Sequence, residues 1–382
     1  MLKKGLIFLS LIAFLLFCYF LTFSKVKQNQ IKNFVLHKVG ILSSEWKIST
    51  EKENDNFITT FSSPTLFVDD IYTSMQGPHT NERFKLNETE DDLYWVTKFE
   101  GVANSKFNSN DFICHMNLFH SNVEHFSRLG FKERINLQDS RLITLTSGTL
   151  SLNFPKGFAY PIYSNEKMFI SSQALNLYKK EDKFNVNFDL KLHYSKNKKK
   201  KLKPLYMKYL VLSLPYTDDM QKNENSLERL DIGAPFVECA APSSDNRFEA
   251  ENSNGDKFTA FWKVPPGEYT YINDVTSVLN LQKTQKVHFI NAHVHPYATS
   301  LELKNNTTNK TVFKSIITNS DGKKGIESIS SFSSEEGVAL YPNHKYTLIQ
   351  KVNNTSKIES DMMASMFVYF YDEALDLKLN KK

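Results

Sequence analysis

The sequence predicts an all-β protein: two antiparallel β-sandwich domains of jelly-roll-like type behind an N-terminal transmembrane helix. Three observations predict it. Residues 184–194 alternate strictly, with Phe184, Val186, Phe188, Leu190, Leu192 and Tyr194 on one side and Asn185, Asn187, Asp189, Lys191 and His193 on the other. That is the period-two signature of a half-buried strand. Short β-rich runs at Ser300–Lys304, Thr311–Thr318 and Tyr346–Val352 are separated by Asn, Thr, Asp and Gly clusters, and no long amphipathic helical period occurs. Many short antiparallel strands at such spacing point to sandwiches or barrels. The N-terminus is of another kind, with an uncharged apolar run from Gly5 to Phe23 between Lys3–Lys4 and Lys25–Lys27.

In chain order, that apolar run is just long enough for a bilayer. No small-residue cleavage site follows it, and Leu-Leu-Phe before Cys18 is too bulky for a lipoprotein site, so residues 1–25 read as an uncleaved signal anchor. The remainder is then expected outside the cytoplasm, periplasmic or extracellular, held to the membrane by this helix. The first sandwich is expected over 45–195, with a hairpin at Leu145–Phe154 turning at Ser147-Gly148. Residues 196–204 read as a lysine-rich linker, since Lys196–Lys203 holds six lysines without interleaved aromatics. The second sandwich is expected over 205–382, with a polar surface insertion at about 217–257. At roughly 150 residues per domain, 382 residues agree with two.

Composition excludes several classes. Three cysteines with no CxxC spacing make neither a disulfide scaffold nor a zinc ribbon. A formal charge of +5, from 47 basic and 42 acidic residues, is too mild for a nucleic-acid surface, so no nucleic-acid partner is expected. GxSxG, HExxH, GxGxxG and Walker-type motifs are all absent.

Histidine and methionine placement is the remaining chemical signal. In Val287–His295, period two puts Val287, Phe289, Asn291, His293 and His295 on one strand face and His288, Ile290, Ala292 and Val294 on the other. His293 and His295 therefore aim the same way, Pro296 ends the strand, and His288 reads as a core histidine. Near the C-terminus Met362, Ala364, Met366, Val368 and Phe370 form an apolar face, leaving Met363 with Ser365, Phe367, Tyr369 and Tyr371 on the mixed one. Gap-filling is the commoner role of methionine, yet two imidazoles and a thioether would suit copper, especially Cu(I), better than zinc or magnesium.

Pro265-Pro266-Gly267-Glu268, Phe289-Ile-Asn-Ala-His-Val-His295 and Ser360-Asp361-Met-Met363 running into the aromatic strand to Tyr371 resemble the copper- and ascorbate-dependent monooxygenases, the family of peptidylglycine α-hydroxylating monooxygenase and dopamine β-monooxygenase. With weaker similarity around Phe112–Phe119, the resemblance covers most of residues 60 to 375. It implies paired β-sandwiches, a copper held by His293, His295 and Met363, dioxygen and a small-molecule substrate as partners, and ascorbate or another external reductant as electron donor. The reaction implied is hydroxylation of a C–H bond.

The departures are as specific as the matches. The family's N-terminal His-His pair falls on Cys114-His115 and its third histidine on Asn176, so only His115 remains as a candidate for a second metal. Cys114 reads as a core thiol or as a disulfide partner of Cys239. His120 and His125 read as surface residues rather than a rebuilt site with His115. The arginine that grips the peptidylglycine carboxylate corresponds to Asn291, and two further substrate-reading positions to Ser365 and Phe367. A less anionic substrate is therefore expected. Two other readings stand beside the enzyme: a membrane-anchored copper-binding module without catalysis, and a metal-free surface interaction protein.

Overall fold

The computed structural model describes residues 2–135, 139–196, 202–215, 250–251 and 257–380. Within them, strands dominate from Lys47 onward. An eleven-stranded sheet runs through the whole body in the order Lys47–Glu53, Asn56–Ser62, Phe184–Lys196, Leu93–Ser105, Phe158–Tyr163, Lys203–Val211, Ala364–Tyr371, Gln285–Val294, Phe332–Leu340, with Leu66–Val68 and Ser151–Asn153 attached to it. A four-stranded sheet, His79–Phe84, Met168–Ala174, Ile113–His120 and Arg141–Leu145, covers its N-terminal half. A five-stranded sheet, Gly267–Asp274, Tyr346–Asn354, Ala298–Asn305, Lys310–Asn319 and Ile326–Ile329, belongs to the C-terminal half.

The alternation read at 184–194 is the strand Phe184–Lys196. Its apolar members are all buried, and it pairs antiparallel with Asn56–Ser62 on one side and Leu93–Ser105 on the other. Alternation also settles the strand Ala364–Tyr371, which separates two cores. Ala364, Met366, Val368 and Phe370 belong to the C-terminal core with Leu210, Ile290 and Leu348. Phe367 and Tyr369 belong to the N-terminal core with Phe99, Met116 and Phe188.

The two halves share more than a linker. Phe158–Tyr163 and Lys203–Val211 pair in parallel at Lys203↔Phe158 and Pro204↔Ala159, which carries the sheet across the seam. The expected linker 196–204 is therefore shortened, because Lys196 closes one strand and Lys203 and Pro204 open the next. Residues 197–201 lie outside the described residues, as does most of the expected insertion 217–257. Across the seam the Tyr369 hydroxyl donates to the Leu142 carbonyl at 2.8 Å, and Arg134 grips the Asp372 carboxylate with both guanidinium nitrogens. The Ser147-Gly148 turn docks on the far half: Ser147 Oγ donates to the Ile326 carbonyl at 3.1 Å, and the Ile329 N–H donates to the Gly148 carbonyl at 2.9 Å.

The structure changes three expectations. The strand Gln285–Val294 bulges between Val287 and Phe289, so Val287 joins Ile290 on the C-terminal core instead of sharing the face of Phe289. A helix unsuspected from the sequence, Lys25–Lys38, packs beside Leu66–Val68 through Asn33, whose side chain donates to the Phe67 carbonyl and accepts from the Phe67 N–H. The expected anchor coincides with the helix Leu2–Leu21, whose apolar side chains from Leu11 to Leu16 are exposed. Among the described residues, however, no helix is long and apolar enough to cross a membrane.

Candidate metal centre

His293 is the penultimate residue of the strand Gln285–Val294, and His295 follows its end immediately before Pro296. Their ring centroids are 5.6 Å apart with planes at 77°. Both are buried, at 7% and 5% exposure. Each has a nitrogen closed to water and without a hydrogen-bond partner: Nδ1 of His293 and Nε2 of His295. A buried polar atom left unpaired is costly, and sites of this kind call for an explanation.

The Asp361 backbone and carboxylate both favour the protonated His295 ring, while its Nε2 has no hydrogen-bond partner. Burial pushes the His295 pKa down to about 4 against the opposing pull of the Asp361 carboxylate. The His293 pKa is driven well below its usual value, first by burial and then by the positive fields of His295, His115 and Arg141. Both imidazoles are therefore neutral at neutral pH, the form that ligates metals.

Among the described residues, no group of three or more His, Cys, Asp and Glu is placed to hold a metal ion. The candidate expected from the sequence is the Met363 thioether. Strand pairing sets Val294 opposite Ala364 and His293 opposite Ser365, and Met363 immediately precedes Ala364. Met363 is buried yet belongs to neither hydrophobic core, whereas the sulfur of Met362 lies in the C-terminal core and accepts from Gln350 Nε2 at 3.1 Å. The neutral N,N,S donor set fits copper, Cu(I) in particular, by softness and charge.

A cleft of about 530 Å³, a volume that includes the open solvent at its mouth, lies beside the two histidines at the seam. The N-terminal half contributes Ser74, Asp111, Cys114 and Ser147 to its wall, and the C-terminal half His293, His295, Lys324 and Asp361. Asn291, Ser365 and Phe367, expected to read substrate, do not line it. Strand pairing sets Asn291 against Phe367, and the Phe367 ring packs on Tyr209 with centroids 5.1 Å apart, which makes them part of the packed seam.

The N-terminal counterpart departs from the family pattern structurally as well. His115 is buried and its pKa is pushed down to about 3 by burial, with the fields of Arg141, His79 and His295 adding to the effect. Asn176 is built into the backbone: Nδ2 donates to the carbonyls of Asp70 and Lys179, and Oδ1 accepts from the Lys179 N–H. Position 176 therefore supplies no imidazole. Nothing in the sequence pointed to His79, which shares a register row with Gln173 and His115 across three adjacent strands and so lies on the face of His115. Its Nδ1 is buried and unpartnered. Cys114 forms no disulfide among the described residues, its Sγ lies 3.8 Å from Ser74 Oγ, and Cys239 lies outside the described residues.

His120 and His125 are interior rather than surface residues. Their rings stack at 4.1 Å, His120 Nε2 meets the Tyr160 hydroxyl at 2.9 Å, and His125 Nδ1 lies 3.1 Å from both Glu166 oxygens. They belong to this separate cluster, not to a site with His115. His288 is the core histidine expected, with Nδ1 3.0 Å from the Ser334 carbonyl and its ring stacked on Phe158 at 3.9 Å.

No protein-family model matches the chain, and no curated protein matches it. Solved structures give distant likenesses. The major capsid protein P2 of bacteriophage PM2 aligns at 9% identity over 80% of this chain and 97% of its own, with a TM-score of 0.27. PNGF-II aligns at 10% identity over 87% of this chain and 67% of its own, with a TM-score of 0.28. A triple-jelly-roll protein of an archaeal virus aligns at 9% identity over 86% of this chain and 75% of its own, with a TM-score of 0.18.

Proposed function

We propose that this chain is a one-copper oxidoreductase of monooxygenase type, acting on a small molecule admitted by the cleft at the seam. The observation that carries the reading is the pair of buried, neutral, unpartnered imidazole nitrogens, His293 Nδ1 and His295 Nε2, on the wall of that cleft. His293, His295 and Met363 would hold the metal, and bound copper would supply one-electron redox chemistry toward dioxygen. Phe367 and Tyr369 are fully buried in the packed seam.

C–H hydroxylation requires two electrons beyond those of the C–H bond. With His115 alone remaining of the family's N-terminal ligands, both electrons would come from ascorbate or another external donor. The exposed apolar side chains of the N-terminal helix support attachment to a membrane. The test is ascorbate-dependent oxygen consumption by copper-loaded protein over a broad substrate panel. Turnover abolished by His295→Ala supports the proposal, and absence of any turnover contradicts the enzymatic part.

A second reading, a copper-holding module without catalysis, is favoured by one observation. Asn176 is locked into a structural turn where the family places a copper ligand. Stoichiometric Cu(I) binding without reductant-dependent oxygen uptake would select it.

A further inference from the structure

We infer that the cleft beside His293 and His295 binds a small organic acid, its carboxylate on the Lys324 ammonium and its apolar body against the walls. Two consecutive lysines in the turn before Ile326–Ile329 have opposite fates. Lys323 pairs with Asp111 across the seam. Lys324 lines the cleft half-buried, and among the described residues no carboxylate lies within the 4.0 Å of an ion pair from it. Asp361 is close enough for its charge to be felt at Lys324, but not paired with it. The Lys324 ammonium lies 5.9 Å from the Tyr297 ring centroid, a contact that uses none of its three donors in a directed hydrogen bond.

A partly desolvated ammonium with unspent donors favours an anion. The rest of the wall is mostly apolar, with Ile113, Leu175, Val294, Pro296 and Ile326, which favours an organic acid over an inorganic ion. The acid would lie beside the histidines, because Lys324, His293 and His295 line the same cleft. The inference goes beyond the copper reading, because it concerns the metal-free cleft.

The experiment is calorimetric titration of metal-free, full-length protein with two isosteric pairs, benzoate against benzamide and hexanoate against hexanamide. Wild type is expected to prefer the acid of at least one pair by roughly tenfold. Lys324→Gln should abolish that preference without weakening the amide, Lys324→Met should do the same, and Lys324→Arg should keep it. Equal affinity for acid and amide in both pairs, no binding in either, or a preference that survives Lys324→Gln and Lys324→Met would overturn the inference. Copper content plays no part in these titrations, so failure here leaves the copper reading standing, and failure of that reading leaves this one standing.

Discussion

At the scale of single residues, the metal reading turns on atoms that alternation could aim but not bring together. The HxH spacing put His293 and His295 on one face, and the parity of residues 361–371 separated Met363 from Met362, as the core assignments show. Met363→Ile nearly conserves volume, so it should cost less than about 1.5 kcal/mol of stability. It should nevertheless weaken Cu(I) binding by at least about tenfold in competition with a chromogenic chelator, if the thioether is a ligand. His79 and Lys324 were illegible because a register partner and a turn bring them in from far along the chain. A second residue-scale prediction concerns the interior pair His125 and Glu166, both held neutral by burial. Burial raises the Glu166 carboxyl to about 7, above its unfolded value, so its contribution is complete below about pH 4.5 and is lost as pH rises through 7. His125, pushed down to about 3 by burial, has the opposite sign: its contribution is complete above about pH 6.5 and is lost as pH falls toward 3. Glu166→Gln removes the first effect alone. Its stability relative to wild type should therefore rise between pH 4.5 and 8, by a few kcal/mol at most, in urea unfolding across that range.

Among the elements, strands with one apolar face were the most legible, and those that depart from period two were not. Phe184–Lys196 and Ala364–Tyr371 follow their alternation, whereas the bulge at His288 moves Val287 to the opposite face, a shift that hydrophobicity alone cannot reveal. The helix Lys25–Lys38 was hidden for a different reason, since it docks through Asn29 and Asn33 rather than through an apolar stripe. The Ser147-Gly148 turn was readable, but the hairpin expected over Leu145–Phe154 does not extend beyond the Thr146–Thr149 bridge, because its two strands enter different sheets, and the turn's contact with the other half was not legible. Gly148 has φ +86°, and a Cβ there would stand 2.5 Å from Cγ2 of Ile326. Gly148→Ala is thus both strained and crowded, and it should cost about 1–3 kcal/mol in thermal or urea unfolding.

For the whole molecule, the sequence suggested two sandwiches, and the folded chain carries two hydrophobic cores whose seam is packed as interior. Leu205, Met207, Phe289, Phe367 and Tyr369 come from the C-terminal half yet belong to the N-terminal core, and one sheet crosses between the halves. Lysines before a proline resembled a boundary because a solvated stretch and a short crossover have the same composition. The seam makes unfolding a joint event: calorimetry should show one cooperative transition rather than two, and Arg134→Ala, which strands the buried Asp372 carboxylate, should lower its stability by about 3–5 kcal/mol. A shared seam also means that the cleft, built from both halves, exists only in the assembled body. The most direct test of the copper site on its wall is the metal content of purified protein reconstituted with Cu(I) and freed of excess. The account predicts one equivalent of copper in wild type, lost in the folded His293→Ala, His295→Ala double variant. No bound copper in wild type, or an equivalent retained by the double variant, would contradict it.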